Sequence, residues 1–412
     1  MFPYCLLWGH APSSGMTAFV NLCLPRKGNT NTLQDIARPA TARLDYIDNL
    51  RWTMIFLVVA VHSACTYSGF GSWYYVERAP LSALSQLFFR LFLSLCQGFF
   101  MGFLFFLAGL FVPSSYDHKG AARFLRGRFV RLGIPSLLFM LVVHPFTGQF
   151  LLHWWKNDFA NGYWRYIASF RFLAGSGPMW FAVALFFFNV IYVCWKMIRP
   201  GAVNPVAVKP KWRHLWLTGT VIWIGAFLIR TVQPMGTNVF NMQLCFFAQY
   251  VVLFSLGIVA RRGRWLELLD DKMGFTALAL GALAAPALWI AMYMVLRTIP
   301  NSMHLLNGGW NLPSAMYSFW ESFYCVTIST GLLVFYRWFC NHRNRAEAFL
   351  ADNSFGVYFI HPPVLIAITL LMMPYGWPPV AKFAIAAVAA LLASYGVVSL
   401  VLRRLPLIRS IL

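Results

Sequence analysis

The chain has 412 residues, of which 59% are hydrophobic and only 11% charged, against about 25% charged in soluble domains. A water-soluble globule lacks the polar residues to clothe so apolar a chain, which leaves a bilayer-embedded bundle as the class that fits. The formal net charge of +21 comes from basic residues clustered between apolar runs; that is the positive-inside pattern of a membrane protein, not a nucleic-acid surface.

Residues 1–42, rich in Thr, Asn and Pro, hold no long apolar core ahead of a cleavage site and read as a disordered arm, with Met16 as a second possible start. Ten apolar runs follow, each long enough to span a bilayer: 52–70, 86–113, 132–152, 177–195, 214–230, 240–260, 274–296, 316–336, 355–373 and 380–402. The second is long enough to tilt or break at Gly98 or Gly102. Linkers are short, so residues 43–412 read as one membrane domain. The expected fold class is all-α, a polytopic transmembrane helix bundle of about ten spans. Basic residues concentrate on alternate loops, as in Lys119–Arg131, Arg261–Lys272 and Arg337–Arg345, which predicts that both termini are cytoplasmic. The eight cysteines lie mostly inside apolar runs without a CxxC pair, so neither a disulfide framework nor a metal site is expected.

Ionisable groups inside a membrane are costly, and each is a functional candidate. The first run opens on Asp48-Asn-Leu-Arg51 and contains His62, about 16 Å beyond Arg51 along a helix. Asp48 and Arg51, one turn apart, can pair. A neutral imidazole at the depth of His62 suits a general base for a hydroxyl nucleophile; the lesser alternative is a structural hydrogen bond to a neighbouring helix. Arg128 and Arg131 are helix neighbours that could fork a phosphate or simply face anionic lipid. Gly177-Pro-Met-Trp180-Phe181 opens the fourth run, and Tyr358-Phe-Ile-His361-Pro362-Pro363 lies in the ninth, where the prolines are expected to kink the helix. Glu321 enters its run from the outer side, to bind sugar hydroxyls, position a catalytic group, or pair with Arg230 or Arg297. Trp154, Trp155 and Trp164 are either sugar-stacking platforms or an interfacial aromatic belt.

In order and spacing, Asp48-x-x-Arg51 with His62, Phe105-to-Gly109, Arg128-x-x-Arg131-Leu with Pro135, Gly177-x-x-Trp180-Phe181 and Tyr358-x-x-His361 resemble the acyltransferase-3 family of bacterial membrane acyltransferases. The likeness runs from about residue 43 to 402. Gln249 to Gly257, followed by Arg261-Arg262 and Trp265, is similar to the branch that includes the glucan-modifying C protein. The family often has a polar residue or His where this chain has Met179. The resemblance implies O-acyl transfer, of the acetyl or succinyl class, in a bacterial inner membrane. The donor would be a cytoplasmic acyl-coenzyme A, used as co-substrate with no tightly bound cofactor, and the acceptor a glycan or lipid-linked sugar. It makes His62, with Arg51 and Asp48, the catalytic group and Arg128 and Arg131 the donor-binding pair; His361, Tyr358, Trp180 and Glu321 would support them. The competing class is a transporter or flippase for a polar envelope precursor, since ten spans with buried His, Arg and Glu also suit a substrate pathway.

Overall fold

The computed structural model describes residues 44–156, 158–199, 201, 206–299 and 302–406; the arm expected over residues 1–42 lies outside them. The helices are α1 (Asp45–Ser68), α2 (Ala83–Leu110), the short α3 (Val112–Lys119), α4 (Ala121–Leu151), the short α5 (Phe159–Ala168) and α6 (Trp180–Ile198). They continue as α7 (Trp212–Val232), α8 (Phe247–Arg262), α9 (Asp271–Leu296), α10 (Leu312–Phe339), α11 (Arg345–Met372) and α12 (Pro379–Leu400). Among the described residues the sole extended pairing is an isolated bridge between Val239 and Met242. The chain is an all-α polytopic bundle.

Among the described residues nine helices are long and apolar enough to cross a membrane. The tenth run of the sequence is α10, whose 28 residues suffice in length but not in hydropathy. Its Ser314, Ser318, Glu321, Ser322 and Ser329 are all buried, so the polar stripe is covered by neighbouring helices and withheld from lipid. Local signals set the helix ends. Ser82, Asn311 and Asn344 cap α2, α10 and α11 through their side chains, and Glu347 closes a capping box with Asn344.

The second run does not break at Gly98 or Gly102. Helix α2 continues through both and turns only at Phe111. The two glycines are points of close approach instead: the Gly98 carbonyl accepts from Gln249 Nε2 at 2.6 Å, and a Cβ on Gly102 would lie 2.8 Å from the Gln249 side chain. Farther along, Gly109 of α2 and Gly257 of α8 let the two backbones touch, since a Cβ on either would meet a facing carbonyl at 2.3 Å. Of the four π-helical turns among the described residues, Phe129–Gly133, Phe139–Val143 and Leu280–Ala284 each end two residues before a proline (Pro135, Pro145, Pro286). A proline clashes with the carbonyl four residues back and cannot donate to it, and a locally widened helix relieves both problems.

Bonds between loops show that the ten long helices run alternately from end to end. At one end Asn49 Nδ2 donates to the carbonyls of Cys340 (2.8 Å) and His342 (3.1 Å). There too Arg337 donates to those of Leu266 and Leu269, both at 2.8 Å, Arg262 pairs with Asp117, and Arg403 reaches the Asp352 carbonyl. The loops rich in Lys and Arg gather at this basic end. At the opposite end Lys382 meets Glu77 at 2.7 Å, Gly309 bonds to Arg230, and Asn241 holds the Gly177 carbonyl at 2.8 Å. With the basic end in the cytoplasm, reporter fusions after Val76, Ala160, Met235, Leu305 and Trp377 are expected to report outside, and those after Gly120, Leu268 and Arg345 inside. Two reversed neighbours would refute the ten-crossing arrangement.

Candidate active site

Helix α11 creates the chemistry of this site by what it lacks. In an α-helix the carbonyl of residue 358 accepts from the amide of residue 362, but that residue is Pro362, which has no N–H. The Tyr358 carbonyl lies instead 2.8 Å from His361 Nδ1. A carbonyl can only accept, so Nδ1 carries the proton, and in the neutral ring Nε2 is then an acceptor. That Nε2 lies 3.0 Å from Nδ1 of His62 on α1, which must therefore donate. Two tautomers are fixed in sequence, and the Nε2 of a neutral His62 is left with a free lone pair. His361 is fully buried, while His62 remains partly accessible. Both prolines lie inside a helix that is continuous from Arg345 to Met372, and one local effect of Pro362 is this diverted carbonyl.

Trp73, from the α1–α2 loop, lies on the His62 ring with 4.0 Å between centroids and 15° between planes. Its Nε1 is buried without a hydrogen-bond partner. The loop is pinned at Glu77, whose amide donates to the Thr66 carbonyl at 2.9 Å and whose carboxylate pairs with buried Lys382. Next to Trp73, Tyr74 bonds through its hydroxyl to His144 Nδ1 at 2.6 Å. Sequence reasoning singled out none of Trp73, Tyr74, Glu77, His144 or Lys382. Their one signal was a dense run of Trp, Tyr and Glu in an outer loop, which did not reveal its partners.

The motifs converge here. The Tyr358 hydroxyl donates to the Pro178 carbonyl, tying Tyr358-x-x-His361 to Gly177-x-x-Trp180. Gly177 has φ +48°, and a Cβ there would lie 2.6 Å from the Tyr74 hydroxyl and 2.7 Å from Phe139; only glycine fits both the angle and the space. Trp180 stacks on Tyr250 at 5.5 Å, and Tyr250 stacks on Phe105 at 5.0 Å.

Asp48, Arg51, Arg128 and Arg131 form a second group at the basic end. Arg51 is 3.4 Å from Asp48 and lies over the Phe111 ring at 4.3 Å; Arg343 is 3.7 Å from the same aspartate. The charges of Arg131 and Arg51 both act on Arg128. Arg128 is half-buried, and Arg131, on the π turn, is exposed. Neither meets a carboxylate among the described residues. The structure therefore separates the arginines from His62 rather than joining them.

The acyltransferase domain that defines the acyltransferase-3 family matches residues 44–399. The chain belongs to that family. No curated protein and no solved structure matches it. This is a multi-pass membrane acyltransferase, an enzyme that transfers groups other than amino-acyl groups.

Glu321 resolves into one of its expected alternatives. In the acyltransferase its carboxylate pairs with Arg230 of α7 at 2.5 Å, both being buried, and Arg230 also donates to Ser318 at 3.1 Å. The tautomer relay yields a test of its own. Pro362→Ala restores the amide that competes for the Tyr358 carbonyl and releases His361. Acyl transfer is expected to fall roughly tenfold or more, with no loss of thermal stability because the helix regains a bond. Wild-type turnover in a folded Pro362→Ala enzyme would show that the relay is not needed.

Proposed function

We propose that this acyltransferase moves an acyl group, of the acetyl or succinyl class, from a cytoplasmic acyl-coenzyme A to a hydroxyl of a glycan or lipid-linked sugar in a bacterial inner membrane. The observation that carries this reading is the Tyr358–His361–His62 relay, which leaves a partly accessible imidazole nitrogen free to accept a proton. A neutral alcohol is a poor nucleophile toward a thioester, so its proton must leave as the C–O bond forms. His62 Nε2 takes that proton, and the resulting imidazolium keeps its Nδ1 hydrogen bond to His361. The tetrahedral adduct collapses by breaking the C–S bond, and His62 returns the proton to the departing coenzyme A sulfur. Atoms and charge balance without a further reactant. Trp73, with an unpartnered N–H beside the ring, is a spare donor for the oxygen that gains charge.

At the basic end, Arg128 and Arg131 supply guanidiniums that no carboxylate neutralises among the described residues, with Arg51 oriented by Asp48 beside them. Guanidinium forks match phosphate geometry, which suits the diphosphate of coenzyme A. Tyr358 and Trp180 hold the walls of the site, and Glu321 acts through the packing of α7 on α10.

His62→Gln keeps a hydrogen-bonding amide of similar size but cannot take the proton. Turnover should drop about 10²–10⁴-fold while donor binding stays intact, and near-normal acylation would remove His62 from the mechanism. Arg128→Ala and Arg131→Ala should each weaken acyl-coenzyme A binding by roughly tenfold, with Lys restoring only part of it. An unchanged donor affinity in the folded double variant would detach both arginines from the donor.

A further inference from the structure

The end of the bundle opposite the basic loops contains a cavity of about 490 Å³ between the end of α4, α5 and the segment leading to α6. Its walls are the rings of Trp154, Trp155, Tyr166 and His144, and its rim carries Arg165 and Arg171. Among the described residues no acidic side chain lines it. Neither arginine has a carboxylate partner among the described residues, and both are exposed. The small residues hold the rings in place. A Cβ on Gly148 would meet the Trp154 ring at 1.9 Å, one on Gly162 the Trp155 ring at 2.4 Å, and one on Gly175 the Tyr166 hydroxyl at 2.2 Å. The tyrosine is fixed from behind, its hydroxyl donating to the Met140 carbonyl at 2.8 Å. Trp164, by contrast, is exposed outside the cavity, as an interfacial aromatic is.

We propose that this cavity binds a sugar bearing a phosphate or carboxylate. Flat ring faces match the C–H faces of a pyranose, and two unneutralised guanidiniums beside them match an anion on that sugar. An aromatic belt alone would need neither the cavity nor the arginines. The cavity also communicates with the catalytic histidine. Tyr74 stacks on Trp154 at 6.1 Å and 13° and bonds to His144, while its neighbour Trp73 stacks on His62. A glycan seated on Trp154 and Trp155 thus lies two side chains from His62. Naming this sugar as the acyl acceptor rests on the acyl-transfer reading; the binding itself does not.

The test uses the full-length protein in nanodiscs of phosphatidylcholine and ligand-observed NMR titration with glucose 1-phosphate, glucuronate, methyl glucoside and inorganic phosphate, without acyl donor. Glucose 1-phosphate or glucuronate should saturate, the preferred one distinguishing a phosphate from a carboxylate source. Methyl glucoside and inorganic phosphate should each bind roughly tenfold or more weakly, lacking the charge or the ring. Arg165→Ala with Arg171→Ala should abolish the preference for the charged sugar, whereas Trp155→Ala should weaken both sugars. His62→Gln should bind like wild type, so a failed catalytic assignment would not disturb this result. Equal binding of charged and neutral sugars would overturn the proposal, as would a preference that survives the double arginine variant. Inorganic phosphate binding as tightly as glucose 1-phosphate, or loss of sugar binding when phosphatidylglycerol replaces phosphatidylcholine, would overturn it in favour of a bare anion or lipid-headgroup site.

Discussion

Pro362 has no amide hydrogen, and the Tyr358 carbonyl one turn earlier on α11 therefore bonds to the His361 ring. Tyr358 and His361 are both buried, so that carbonyl cannot be left unpaired cheaply; an orphaned buried acceptor costs about 1–3 kcal/mol. The same cost now opposes any flip of the His361 ring, because the flip would orphan the carbonyl and face the wrong atom toward His62. At about 1.4 kcal/mol per factor of ten, this amounts to roughly a tenfold to hundredfold preference for one tautomer. A backbone defect in one helix thus determines which nitrogen of a histidine on another helix carries the lone pair. Trp73 caps that ring from the loop side, and the Gly177–Trp180 segment is drawn in through the hydroxyl of the same Tyr358.

Charge enters the apolar body of the protein at few places, and each does structural work. Arg230 is fully buried, yet it has Glu321 and Ser318 as hydrogen-bond partners and the rings of Phe246 and Tyr317 at 5.3 and 5.5 Å. Lys382 is buried too and rests on Glu77. Removing one partner from such a pair leaves an uncompensated charge, at about 3–5 kcal/mol. The two pairs differ in reach. Arg230–Glu321 joins α7 to α10. Lys382–Glu77 anchors to α12 the loop that carries Trp73 and Tyr74, so an ion pair with no polar contact to His62 still sets the lid over it.

The number and order of the long helices were legible in the sequence because a bilayer demands about twenty apolar residues per crossing and because the basic loops alternate. Helix α10 was counted among the ten runs, although its buried serines and Glu321 make it less apolar than the nine others. Motif spacing singled out His62, His361, Arg128 and Arg131, yet it could not say that His62 bonds to His361 and not to Arg51. That pairing depends on two helices nearly three hundred residues apart in sequence. Pro362 could be read as a kink because proline rules concern the helix that contains it; that the His361 side chain would take up the carbonyl it leaves could not be read there. Trp73, Tyr74 and His144 were invisible for a related reason. Loop aromatics and an outer histidine have no period, and their roles exist only where α4 and the α1–α2 loop meet.

Helix α4 is where a straight-helix reading fails most. Phe139 and His144 are five residues apart, which in a regular α-helix would leave them about 140° apart around the axis. The π turn Phe139–Val143 absorbs one extra residue, about 100° of rotation, and so brings both side chains to nearly one face. The contacts agree: Phe139 packs against Phe359 of α11 and faces Gly177, while His144 bonds to Tyr74 and faces Gly175. At the other end of the same helix, Arg128 lies within range of Arg51. One helix therefore borders the arginine cluster at the basic end, the wall beside the histidine relay, and the sugar-sized cavity at the far end. On the proposed reading, donor phosphates and acceptor sugar are held at opposite ends of α4, and the acyl arm of the donor must extend along it to reach His62. The π turns that interrupt its hydrogen-bond ladder are what let one helix serve all three places.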